Sequence, residues 1–133
     1  MTRALHAVAV LILMCVTACS RDLALALEPG ASTRVYTLGS AKHERTLDPS
    51  SAEYSELSSW LRQNQSGWSR LVATPPANGL LVSSGRFHLQ FTGRTALVTT
   101  SEGVFTKDVA ESEYAFLLAD ATPNTSLERT RER

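Results

Sequence analysis

An α+β fold is what the sequence predicts: one main helix packed on a curled antiparallel β-sheet of about five strands. Three observations point to it. Tyr54, Leu57, Trp60 and Leu61 recur at helical spacing. Residues 80–107 alternate apolar and polar side chains between short turn signals, and a further alternating segment stands ahead of the helix. A helix with one apolar stripe and strands with one apolar face bury both surfaces against each other.

The elements follow in order. Thr33-Arg34-Val35-Tyr36-Thr37-Leu38 alternates, is rich in β-branched and aromatic side chains, and ends at Gly39, as a strand should. Ser50-Ser51-Ala52-Glu53 has the spacing of a capping box with Ser50 as N-cap, so a helix should begin there and stop at Gly67. Glu53, Glu56, Ser59, Arg62 and Gln63 fall largely on its polar side. Trp68 to Thr74 reads as a strand, Pro75-Pro76-Ala77-Asn78-Gly79 as a rigid turn, and Leu80 to Ser83 as the next strand. Ser84-Gly85 turns into Arg86 to Thr92, where Phe87, Leu89 and Phe91 share one face and Arg86, His88, Gln90 and Thr92 the other. Gly93-Arg94 leads to Thr95–Thr100, and Ser101-Glu102-Gly103 to Val104–Lys107. Such short connections require antiparallel neighbours and give a meander. Ser112 to Ala119 is apolar enough for a short helix on the sheet, with an edge strand as the alternative. The order of strand, helix, four strands and a terminal apolar segment resembles the cystatin-like arrangement, in element order alone, and transfers no site residues.

The first twenty residues carry an address. Met1-Thr2-Arg3 is followed by an acid-free apolar run to Val16 and by the small residues Thr17 and Ala18. That is the shape of a secretory signal, and the run is shorter than the about 20 apolar residues of a membrane-spanning helix. Val16-Thr17-Ala18-Cys19 resembles the lipobox of bacterial lipoproteins. The resemblance implies cleavage between Ala18 and Cys19, diacylglyceryl transfer to the Cys19 thiol, and membrane attachment through two or three acyl chains. Each buried methylene contributes roughly 0.8 kcal/mol, and one chain alone holds only marginally. Ser20 rather than Asp after the lipidated residue favours the outer membrane over the inner, with the domain facing the periplasm. Ordinary secretion is the competing reading, because Val16-x-Ala18 also suits the general signal peptidase.

This divides the chain into a signal peptide (1–18), a lipidated Cys19 with a tether (19–32), a single domain (33–120) and a disordered polar tail (121–133). Within the tether, Leu23 to Leu27 has the alternative of a short strand or helical turn packed on the domain. Removing the signal leaves 115 residues with twelve Lys plus Arg and thirteen Asp plus Glu. That near-neutral balance offers no electrostatic case for nucleic acid. Cys15 leaves with the signal and Cys19 is acylated, so the domain has neither a thiol nucleophile nor a Cys-based metal pattern, and it must hold by packing alone.

Residues that could carry chemistry are sparse. His43 stands in a charged connection and His88 on a strand, each alone in its segment, so no metal or other cofactor is expected. Glu53 and Glu56 suit the positive end of the helix dipole better than acid–base work. No Gly-x-Ser-x-Gly elbow and no Gly-rich phosphate loop exists in the chain. Ser84, Gly85, Arg86 and His88 are the candidate interaction residues. A short turn bearing a hydroxyl and a guanidinium can enter a partner's cleft, as in small envelope lipoproteins that inhibit lysozyme. The expectation is therefore a small, non-catalytic, lipid-anchored envelope protein acting on another envelope protein. An inhibitor or immunity protein lies within that class. A ligand carrier or enzyme with a pocket lined by Tyr54, Trp60, Phe87 and Phe91 is the rival.

Overall fold

The structure is a computed structural model and describes residues 20–39 and 44–119. Seven strands form one antiparallel sheet: β1 Thr33–Leu38, β2 Glu44–Leu47, β3 Ser69–Leu71, β4 Gly79–Ser84, β5 Phe87–Thr92, β6 Thr95–Thr100 and β7 Gly103–Asp108. Their spatial order is β2-β1-β4-β5-β6-β7-β3. The helix α1, Ala52–Gln63, joins β2 to β3. A 3-10 turn, Glu111–Glu113, and a short helix α2, Ala115–Leu118, close the described chain. The α+β class and the single main helix agree with the sequence. The strand count and the curl do not, because the sheet has seven strands and is neither closed nor strongly curled.

The two extra features have physical reasons. Glu44-Arg45-Thr46-Leu47 reads as a charged connection, yet it pairs with β1 from Thr33–Leu47 to Tyr36–Glu44. An edge strand tolerates exposed charge on one face. β3 occupies only three residues of the predicted Trp68 to Thr74 strand and pairs with β7 rather than with β4. Residues 72–78 are therefore a strap that returns from one edge of the sheet to its middle, and the rigid turn expected between neighbouring strands is absent. The strap is held by Gln90, whose Nε2 donates to the carbonyls of Pro76 and Asn78, each at 2.7 Å. Gln90 consequently lies buried on the face opposite the helix, although it belongs to the more polar side of its strand. From β4 to β7 the meander is as predicted, with Ser84–Phe87, Thr92–Thr95 and Thr100–Gly103 closing three two-residue connections.

Helix α1 begins one residue later than the capping-box reading. Ser51 is the N-cap, its Oγ accepting from Tyr54 N at 3.2 Å. Ser50 instead donates N–H and Oγ–H to Asp48 Oδ1, both at 2.8 Å, in a turn closed by the aspartate side chain. At the other end Asn64 donates to Trp60 O, while Lys107 on β7 donates to Asn64 Oδ1 and Ser66 O. A lysine placed there also complements the negative end of the helix dipole.

Val35, Val82, Leu89, Val98 and Phe105 form one continuous row across five strands, all buried on the helix-facing side. Leu57, Trp60 and Leu61 descend onto this face, with Trp60 edge-on to Phe91 at 5.1 Å between ring centroids. Tyr114 stacks on the same Phe91 at 4.5 Å and donates its hydroxyl to Gly93 O at 2.6 Å. Arg45 ties the two sides together, pairing with Glu53 on α1 and donating Nη2 to Leu117 O at 2.7 Å. The terminal apolar segment is thus the packed helix rather than the edge strand.

Two expectations follow. Gly79 has φ +99°, and a Cβ there would overlap the Phe91 carbonyl oxygen. Gly79→Ala should destabilise the domain by about 2 kcal/mol or more in urea unfolding, since left-handed strain alone is of order 1–3 kcal/mol. Burial, and then the charge of Glu111, raises the pKa of Tyr114 above its ordinary value. The folded state therefore favours the neutral phenol, and stability should be constant below the unfolded value and fall as pH rises through the folded one. Tyr114→Phe should flatten that alkaline limb in a pH series of denaturation midpoints.

Candidate functional site

Residues 21–28 build an end of the domain where charged side chains, an apolar floor and a cleft come together. Leu23 and Leu25 are buried while Arg21, Asp22, Ala24 and Ala26 are exposed, and Leu25 N–H donates to Leu23 O at 3.0 Å in a tight turn centred on Ala24. Arg21 and Trp68 exchange two backbone hydrogen bonds, N–H to Trp68 O at 2.7 Å and Trp68 N–H to Arg21 O at 3.2 Å. Leu23 N donates to Gln65 O at 2.7 Å. The Gln65 amide then supplies what a neighbouring strand would, accepting from Leu25 N at 3.0 Å and donating to Leu25 O at 2.7 Å. Leu23 and Leu25 thus belong to the packed domain rather than to a free tether, in keeping with the alternative reading of Leu23 to Leu27. Their signal in the sequence is the Leu-Ala-Leu-Ala-Leu alternation, whose partner lies forty residues away.

Between this segment and the β4–β5 and β6–β7 turns lies an open cleft of about 390 Å³, lined by Arg21, Leu23, Leu25, Arg86, Phe87 and Glu102 among others. Two ion pairs edge it. Arg21 meets Glu102 at 3.3 Å, and Arg86 pairs with Glu28. The first pair is half exposed on both sides and the second has an almost fully exposed arginine, so each contributes little to stability. They set the charge pattern of the rim. Arg21 also lies over the Phe105 ring at 5.7 Å.

The sequence-predicted interaction residues do not share one surface. Ser84 is 3% exposed and faces the core, its Oγ without a hydrogen-bond partner among the described residues. Gly85 and Arg86 form the turn against Glu28. His88 is exposed but lies in register with Ser83 and Thr99 on the face away from the helix. The hydroxyl that a protruding inhibitory turn would present is turned inward. Glu53 is engaged by Arg45, and Glu56 is exposed. Trp60, Phe87 and Phe91 are core residues with Tyr54 packed against them, so the pocket imagined between helix and sheet is filled by its own lining. Ala18, Cys19, His43 and the residues from 120 onward, the predicted tail among them, lie outside the described residues.

Among the described residues no group of three or more His, Cys, Asp or Glu side chains is placed to hold a metal ion, and no helix is long and apolar enough to cross a membrane. The class defined by the fold is an α+β domain with a seven-stranded antiparallel sheet. No protein-family model, curated protein or solved structure matches the chain.

If residues 21–27 are structural, Leu25→Ala should cost about 2–4 kcal/mol in urea unfolding, as for other buried leucines. A tether residue would cost less than about 0.5 kcal/mol.

Proposed function

We propose that this chain is a small, non-catalytic lipoprotein of the bacterial envelope, attached to the outer membrane through lipid on Cys19, whose periplasm-facing domain binds or supports another envelope protein. The observation that carries this reading is Val16-Thr17-Ala18-Cys19 at the end of an acid-free apolar run that follows Arg3. Thiol acylation needs a cysteine at the cleaved bond and a small residue before it, and both are in place. The arrangement of the domain fits such a role. Its largest aromatic side chains are spent on the core, and its polar amides on holding loops. The charged rim around the cleft offers a surface for a partner rather than a reaction centre.

Expression of the full chain in a diderm bacterium beside Cys19→Ala tests the reading by intact mass and membrane fractionation. The native chain should gain acyl mass on Cys19 and sediment with outer membrane. The variant should lack both properties. A native chain that is unlipidated and soluble in the periplasm would sink the proposal and bring a diffusible carrier or inhibitor forward.

A further inference from the structure

We infer that the end of the domain bearing Arg21, Val72, Arg86 and the Ser101-Glu102 turn rests directly on the lipid surface of the membrane that holds the anchor. This deepens the lipoprotein reading and rests on it. The first support is the reach of the chain. Arg21 is held to Trp68 by two backbone hydrogen bonds, and its side chain meets Glu102. Only Ser20 separates it from Cys19, so the acylated residue lies within about 8 Å of the Arg21 Cα, two Cα steps away. A domain held so closely has no leash on which to stand off from the bilayer. Whatever surrounds Arg21 must lie at headgroup level.

The second support is what surrounds it. Leu71 pairs with Val104, and the next residue, Val72, is 94% exposed, the barest large apolar side chain among the described residues. Continuing that register by one residue brings Val72 level with Gly103, next to the Glu102 that meets Arg21. A single exposed valine on a protein surface is ordinary. One placed beside a lipidated residue has an apolar phase within reach. The same end carries guanidinium groups suited to phosphate oxygens: Arg21, Arg70, whose Nη2 lies 3.4 Å from where a Cβ on Gly103 would be, and Arg86, whose side chain is 85% exposed. Asp22, Glu28 and Glu102 accompany them, so this end has no net excess of positive charge and suits a mixed headgroup layer without requiring a strongly anionic one. The opposite end carries the Gly93-Arg94 turn, and the chain from Val109 onward packs over it.

The test uses the mature, membrane-extracted chain with single substitutions Val72→Cys, Ser101→Cys or Arg94→Cys. Each is labelled with a nitroxide and reconstituted in phosphatidylethanolamine–phosphatidylglycerol vesicles. Intact mass first establishes the acyl groups on Cys19. Labels at 72 and 101 should then show a several-fold higher ratio of oxygen to aqueous nickel-chelate collisions than the label at 94. An acylated chain with equal ratios at the three positions overturns the inference and leaves the anchor reading standing. A chain with no acyl mass overturns both.

Discussion

The width of the sheet is the constraint from which the remaining structure follows. Seven strands at the usual spacing of about 4.8 Å span roughly 29 Å, whereas a helix of twelve residues is only about 18 Å long. One helix cannot cover the apolar face that Val35, Val82, Leu89, Val98 and Phe105 create. Flanking segments cover part of what the helix leaves open. Leu23 and Leu25 close the end at the β4–β5 and β6–β7 turns, and Val109, Tyr114 and Leu117 contribute from the other flank, where Tyr114 binds Gly93. The chain before β1 is therefore drawn into the core because the sheet needs it.

Covering a sheet with irregular chain brings backbone amides and carbonyls into places where water cannot serve them, and unpaired groups there are costly. A few amide side chains meet this need. Gln65 satisfies both polar groups of Leu25, Asn64 receives Lys107 and caps toward Trp60, and Gln90 holds the strap through Pro76 and Asn78. Each also fixes the position of a segment that lacks a strand partner of its own. Thr33, Trp60 and Ser84 contrast with them, since each keeps a buried polar atom unpaired among the described residues. Ser84 is the register partner of Phe87, which lines the cleft, whereas the Trp60 indole stands between Trp68 and Phe91 in the core.

The docked segment changes what an anchor at Cys19 would mean. A lipoprotein with a free tether samples a volume above its membrane and can meet partners at a distance. In the proposed arrangement the domain is held close, with one fixed end toward the lipid and the sheet face bearing Tyr36, His88 and Thr99 presented to the side. The partner would then be another component at the same surface, met in a restricted orientation. The cleft between residues 21–25 and the two turns would sit at the boundary between protein and headgroups.

Much of the fold was legible because it is local. Alternation in Phe87–Thr92, the two-residue turns at Gly93-Arg94 and Ser101-Glu102, and the stripe of Leu57, Trp60 and Leu61 each follow from neighbours a few residues apart. The proposed address rests on the sequence in a different way, since a processing segment would be read by enzymes as linear sequence. By itself the sequence thus determined the α+β class, the helix and the meander. Tertiary structure alone decided that Glu44–Leu47 is a strand, that β3 joins β7 at the edge of the sheet and that Leu23 and Leu25 are core. In each of these a residue's partner lies far along the chain: Gln65 for Leu25, Phe105 for Arg70, Val35 for Arg45. Short segments of mixed polarity take their conformation from such partners, and no local pattern encodes which one will be there.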